Sequence, residues 1–289
     1  MKLIVELIIK TPLRVGVGNE TDDTLNTVRS TTIYSAIIYN AFRLFGDDAH
    51  KLAKSLKVSS LLFKFGEEYL IPKPFLFNTY PPEKLELEPK KLKKAQYVFA
   101  SKLSNNFKES IFFEDSPVKI DNRLVVSLDR VRNTSSLYNI ELIYFKDKFT
   151  PYFIAEFPDD LENHLKASVR LLGDSGLGAD ATRGFGLFEP KFKVPPDIFY
   201  KNGKSTLLLG LARPNEDEIR KLNNGYYKLV KLRGHRHIVP KLKDELYYLS
   251  EGSTFDFNFV GEPNKLQNDY YIIGSTVVFK FDLGGDLVE

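Results

Sequence analysis

The fourteen residues from Gly173 to Gly186 (Gly-Asp-Ser-Gly-Leu-Gly-Ala-Asp-Ala-Thr-Arg-Gly-Phe-Gly) constrain this chain more than any other stretch. Ahead of them Leu161, Leu165, Val169 and Leu172 recur at helical spacing, with Asp159 or Asp160 placed to cap the helix and Gly173 to close it. Behind them Phe185 to Val194 reads as a strand. A dinucleotide fingerprint needs the reverse order, strand before the glycines and helix after, so that reading fails. A Walker-type loop fails too, because no Gly-Lys-Ser or Gly-Lys-Thr ends the run. Two readings of the loop remain. It can be a tight helix-to-strand turn requiring positive φ, or a cradle in which glycines bring backbone against a phosphate and Arg183 adds a fork of donors.

Upstream, Val5, Leu7 and Ile9 share one face of a strand while Leu3, Ile4 and Ile8 fill the other side, so the opening strand is expected at the centre of a sheet. Thr11-Pro12 ends it, and a polar loop with Gly16, Gly18 and Asn19 follows. Ile33, Ala36, Ile37, Ala41, Leu44 and Phe45 then predict a helix capped by Thr31 or Thr32 and stopped by Gly46. Leu61–Phe65 and Tyr69–Pro72, around Gly66-Glu67-Glu68, predict a hairpin. From about Tyr80 to Ser116 the chain carries prolines, the lysine run Lys90 to Lys94 and scattered apolar residues without a period, which predicts an insertion projecting from the core. Leu124–Val131, Leu137–Phe145 and Phe149–Phe157 read as strands. With the insertion and its flanking strands set aside, the order is β-α-β-β-α-β, a ferredoxin-like plan. Pro195-Pro196 marks a boundary, giving a first domain over 1–195 and a smaller α+β domain over 200–289 with a helix near Asn215 to Leu222. The expected fold class is α+β, two ferredoxin-like domains with an inserted thumb.

Composition narrows function chiefly by exclusion. No cysteine is present among 289 residues, which removes disulfides, thiolate metal sites and a cysteine nucleophile, and fits a cytoplasmic setting. Glu6 interrupts the first apolar run too early for a secretory signal, and no apolar stretch spans a bilayer, so no membrane role is expected. With 41 basic and 38 acidic residues the net charge is only +3, so any nucleic-acid contact has to come from local placement of arginine and lysine. No His or carboxylate set has metal-ligand spacing, and no cofactor is expected.

The Gly-x-Gly-x5-Gly-x-Gly pattern from Gly176 resembles the glycine-rich loop of the RAMP superfamily, RNA-binding subunits of CRISPR effector complexes. Three further segments agree, in family order. Val28-Arg29-Ser30-Thr31-Thr32-Ile33-Tyr34-Ser35-Ala36-Ile37 resembles the helix start of the type III, Csm-type subunits that cap the crRNA 5′ end; Lys73-Pro74-Phe75 resembles their proline-aromatic turn; Ser127 to Thr134, followed by Leu137-Tyr138, resembles their Arg-x-Thr strand. Arg29 stands where that family often has His, and Thr31 where it has Asp. In the second domain Gly252-Ser253-Thr254-Phe255 adds a weaker match.

The resemblance implies a non-catalytic subunit that holds the crRNA 5′ handle, docks a large polymerase-like subunit and adjoins a backbone RAMP subunit. It also implies that the 80–116 insertion is a thumb. Arg14, Arg29, Ser30, Arg130, Arg132, Asn133, Gly176, Gly178, Arg183 and Gly184 are the expected RNA contacts, arginines on phosphates and glycines giving close approach, with Arg132 and Asn133 also placed to read a base. An enzymatic alternative stays open. His235-Arg236-His237 supplies imidazoles and a guanidinium suited to 2′-hydroxyl attack, as in CRISPR precursor-processing endoribonucleases. A paralogous type III-B or III-D subunit is the other alternative. His50 and His164 read as exposed polar positions on helices.

Overall fold

The computed structural model describes residues 1–16, 27–79, 88–104, 107–114, 116–129, 134–234 and 244–282. In chain order the first part holds β1 (Lys2–Ile9), α1 (Ser30–Phe45), α2 (Ala49–Ser55), β2 (Lys57–Val58), β3 (Leu62–Phe65), β4 (Glu68–Pro72), α3 (Pro89–Lys94), β5 (Tyr97–Phe99) and α4 (Phe107–Ser110). It continues with β6 (Val118–Asp129), β7 (Thr134–Phe145), β8 (Phe149–Glu156), α5 (Glu162–Ser175) and β9 (Phe188–Lys193). The remainder holds β10 (Ser205–Leu208), α6 (Glu216–Lys221), β11 (Gly225–Tyr226), β12 (Leu229–Leu232), β13 (Leu246–Leu249), β14 (Thr254–Phe255), β15 (Lys265–Gln267), β16 (Tyr270–Ile272) and β17 (Val278–Phe281). Among the described residues no helix is long and apolar enough to cross a membrane.

Among the described residues the main sheet runs β5-β4-β3-β8-β1-β9, with β2 also on β8, and a smaller sheet runs β11-β14-β10-β17. β1 pairs antiparallel with β8 on one side and β9 on the other. Its two apolar faces are accounted for by what covers them. Leu3, Val5 and Leu7 pack with Ile33, Ile37 and Ala41 of α1 and Leu165, Val169 and Leu172 of α5. Ile4, on the opposite face, joins Tyr152 and Ile154 of β8 against Leu207, Phe279 and Phe281 of the smaller sheet. The smaller sheet thus closes the main sheet's second face, and the two largest apolar clusters each draw on both parts of the chain.

Several local expectations need correction. α1 starts at Ser30 with Arg29 as N-cap, two residues ahead of Thr31 and three ahead of Thr32, and no side chain caps it. α5 runs through Gly173 to a cap at Gly176 (φ 94°); a Cβ at Gly173 would strike the Phe188 carbonyl, so that glycine serves helix-to-strand approach rather than a stop. Asp159 holds the N-terminal ammonium at 2.8 Å instead of capping α5. The helix near Asn215 does carry a full capping box, Asn215 with Glu218.

The projecting insertion is also corrected. Its described residues are woven into the core: β5 extends the main sheet beside β4, and Leu92, Ala95, Val98, Ala100, Leu103 and Ile111 are buried in the cluster between the two sheets. The element that reaches into solvent is instead the β6–β7 hairpin, paired from Val118↔Phe145 to Asp129↔Thr134, with Leu124, Val126, Leu128 and Leu137 exposed near its outer end.

Candidate nucleic-acid interface

The glycine-rich loop is positioned by three neighbours. α5 delivers it, β9 takes it away, and the segment after β1 lies along it: Gly186 N–H donates to the Pro12 carbonyl at 2.9 Å and Ala179 N–H to the Arg14 carbonyl at 2.7 Å. That same segment is stitched to the hairpin base, where Leu13 and Ile143 exchange backbone hydrogen bonds of 3.1 and 2.7 Å. Phe185 of the loop packs with Ile140 and Leu142 of β7, and Val125 and Tyr138 border that cluster. Loop, post-β1 segment and hairpin base therefore form one surface.

On this surface Asp180, in the left-handed region at φ 56°, holds two arginines. Arg14 Nη1 donates to Asp180 Oδ2, and Arg183 Nη1 lies 3.6 Å from the same oxygen. Arg183 Nη1 also donates to the Tyr138 hydroxyl at 3.2 Å. That hydrogen bond first, and Asp180 after it, hold the Arg183 guanidinium above its ordinary pKa. Among the described residues, Asp180 is thus shared by two guanidinium groups. Arg14 is only 15% exposed and Arg183 40%, so Arg183 is the one presented to solvent.

The glycines divide by role. A Cβ at Gly176 would strike the Phe185 carbonyl, at Gly178 the Arg14 carbonyl and at Gly186 the Leu177 carbonyl, all at positive φ. These three are required by the loop's own packing. Gly176 and Gly186 also spend their N–H groups on Leu172 and Pro12. Gly184, at φ 84°, has open space where a Cβ would stand, and its N–H closes a turn onto Ala181. Among these four glycines Gly184 is thus the one with room beside it, next to exposed Arg183.

Among the described residues, two other expected contacts, Ser30 and Arg29, are not gathered here. Ser30 is removed from the set: it is fully buried, its N–H donates to Ser60 Oγ at 3.0 Å and its Oγ accepts from Leu211 N–H at 2.9 Å. It joins α1 to the second part of the chain. Arg29 caps α1 at half-buried exposure. Arg130, Arg132 and Asn133 lie outside the described residues, in the chain between β6 and β7, and so do His235 and His237. His50 and His164 are half-buried rather than exposed: His50 Nδ1 is 2.7 Å from the Tyr271 hydroxyl, and His164 packs 4.3 Å from the Phe45 ring centroid. Asp180 and Tyr138 join the site without being among the expected contacts. The Asp-x-x-Arg spacing was visible, but the Tyr138 contact crosses 45 residues of chain and depends on how the hairpin folds back.

Comparison with known families decides what this surface belongs to. The RAMP superfamily model matches residues 6–189, and the model of the CRISPR Csm4 C-terminal domain matches residues 201–281. The chain belongs to the RAMP superfamily. Among curated RAMP relatives, the CRISPR system Cms protein Csm4 of Methanocaldococcus jannaschii is 27% identical over 314 residues, covering 83% of this chain and 82% of that one. The Csm4 protein of Thermococcus onnurineus is 27% identical over 284 residues, covering 90% and 92%. A solved Csm3–Csm4 subcomplex of the type III-A CRISPR-Cas interference complex holds a chain that matches with a TM-score of 0.68 at 24% identity, over 98% of this chain and 100% of that chain. A Csm1–Csm4 cassette in complex with cA4 matches at 0.65 and 21%, over 98% and 99%. This is a Csm4-like RAMP protein with a mixed α+β fold.

Proposed function

We infer that the chain is the Csm4-type subunit of a type III-A CRISPR interference complex, which grips the 5′ handle of crRNA and catalyses nothing itself. The large polymerase-like subunit and a backbone RAMP subunit are its protein neighbours, and the cytoplasm its compartment. One observation carries the reading: a RAMP match over 6–189 is followed in the same chain by a Csm4 C-terminal match over 201–281. The division into units of 1–195 and 200–289 follows the same boundary. Solved Csm4 relatives appear with Csm3 in one structure and with Csm1 in another, which supports the two neighbours.

The first unit is ferredoxin-like, a reading supported by the β9-β1-β8-β3 order with α1 and α5 packed on one face. The strand that completes it is β8, after the insertion, rather than β4. The second unit is its smaller ferredoxin-like partner, and the solvent-facing β6–β7 hairpin takes the part of the thumb. Arg183, Arg14, Gly184 and Arg29 are the described residues proposed to meet RNA, arginines on phosphates, with Gly176 and Gly178 shaping the loop that presents them. Arg130, Arg132 and Asn133 join them from the hairpin end. The test is co-expression with the large and backbone subunits. Co-purification of all three with crRNA, and absence of cleavage when the purified chain meets labelled precursor RNA, is the expected result. Cleavage that disappears on His235→Ala with His237→Ala would replace this reading with a processing endoribonuclease.

A further inference from the structure

Two motifs from opposite ends of the chain meet away from the glycine-rich loop. Phe75 N–H donates to the Gly252 carbonyl at 2.8 Å, and a Cβ on Gly252 (φ +90°) would stand 3.0 Å from the Lys73 carbonyl and 3.2 Å from the Phe75 ring. The Lys73-Pro74-Phe75 turn and the Gly252-Ser253-Thr254-Phe255 segment are therefore built around each other. Beside this junction Lys73, Phe75 and Glu251, the residue before Gly252, line a cavity of about 820 Å3 between the two parts of the chain, within the size range of small-molecule sites.

The chemistry of its wall is specific. Lys73 is 7% exposed, and its ammonium donates to the Leu92 carbonyl at 2.6 Å. Among the described residues no carboxylate pairs with it. Burial alone pushes its pKa down, the signature of a cation short of a counter-ion. Lys93 and Lys228 line the same space, and among the described lining residues the one acid is Glu251, so that part of the wall carries an excess of positive charge. Phe75 and Tyr97 add aromatic surface, and Asn78 and Gln96 add amides that can both donate and accept. An adjoining hollow of about 330 Å3 shares Phe75, Asn78 and Lys228 and adds Tyr226 and Tyr227.

We propose that this cavity is a nucleotide site, with Lys73 and Lys228 on the phosphate and the base lodged among Phe75, Tyr97, Asn78 and Gln96. An anion without a base would satisfy the lysines but leave the aromatic and amide walls unused; an acidic peptide would leave the flat ring surfaces unstacked. The nucleotide can be free or one residue of a bound RNA, and only that second source rests on the RNA-binding reading.

The test titrates the full chain with AMP, UMP and inorganic phosphate by calorimetry, beside Lys73→Met and Lys228→Glu. Saturable nucleotide binding is expected, tighter than inorganic phosphate, and weakened about tenfold by Lys73→Met, the loss of one charge-assisted contact. Lys228 is exposed, so Lys228→Glu keeps the fold and weakens binding independently of any folding defect in Lys73→Met. Competition by an RNA oligonucleotide assigns the site to a nucleotide within RNA; lack of competition assigns it to free nucleotide. No saturable binding of AMP or UMP, or binding unchanged by Lys228→Glu, overturns the proposal. Arg183→Ala separates the two sites, since it weakens RNA binding at the loop and leaves AMP binding as it was.

Discussion

Arg183 stands on the loop with the Tyr138 hydroxyl and Asp180 behind it, and that support orients its guanidinium. A guanidinium already oriented loses less freedom on binding than a free one. Arg183→Ala should therefore weaken crRNA binding about tenfold whatever the RNA sequence, leave the melting temperature alone, and flatten the salt dependence by about one unit. Gly178→Val should act differently. Its side chain would enter the space of the Arg14 carbonyl, so displacement of Arg14 and lower thermal stability are expected before any effect on RNA. Ser30→Ala belongs with stability as well: it strands the buried Leu211 N–H at a cost of about 1–3 kcal/mol, read as a shift in denaturant midpoint.

Buried tyrosines set a pH limit at the same scale. Burial pushes Tyr248 up to about 12 and Tyr152 well above its ordinary value, so the folded state keeps phenolic protons that the unfolded chain releases near pH 10. The folded state then binds more protons than the unfolded, and stability falls as pH rises from about 10, by about 1.4 kcal/mol per pH unit for each such tyrosine. Denaturant melts from pH 8 to 11.5 should show this decline, and Tyr248→Phe should make it shallower.

Among elements, the 80–116 segment and the β6–β7 hairpin exchange the roles that their sequences suggest. Val98, Leu103 and Ile111 are each buried, and each side chain is worth about 1.5–3 kcal/mol. Replacing residues 83–113 by a glycine-serine linker should therefore abolish cooperative unfolding. Joining Val125 to Tyr138 through Asn-Gly should leave the melting curve unchanged, because the lost end exposes Leu128 at 69% and Leu137 at 65%. RNA binding should drop in that variant, since Arg130, Arg132 and Asn133 go with it.

The reason for the exchange is physical. α1 and α5 were legible because each presents one long apolar stripe to one partner. Leu92, Val98, Leu103 and Ile111 come from separate short elements, so their burial has no period to detect. Leu124 to Leu128 is β-rich on both faces, like β1, and nothing within the strand says that only the hairpin base is covered. The candidate loop was legible as a motif. Its hydrogen bonds to Pro12 and Arg14 and the Arg14 contact with Asp180 were not, since they join residues more than 160 positions apart.

Across the whole molecule, the second sheet is a structural partner of the first. Phe279 and Phe281 share a cluster with Ile4 and Tyr152, and Thr276 Oγ1 donates to the Val58 carbonyl at 2.7 Å. Each half would expose a large apolar face if separated, so the units should melt in one transition. The same joint creates the lysine-lined cavity. That the loop grips RNA is most directly tested by filter binding of handle-bearing crRNA to the assembled complex, wild type against Arg183→Ala, across a salt series. Weaker binding with a slope shallower by about one unit is the expected result. Equal affinity and equal slope for the two proteins would contradict it.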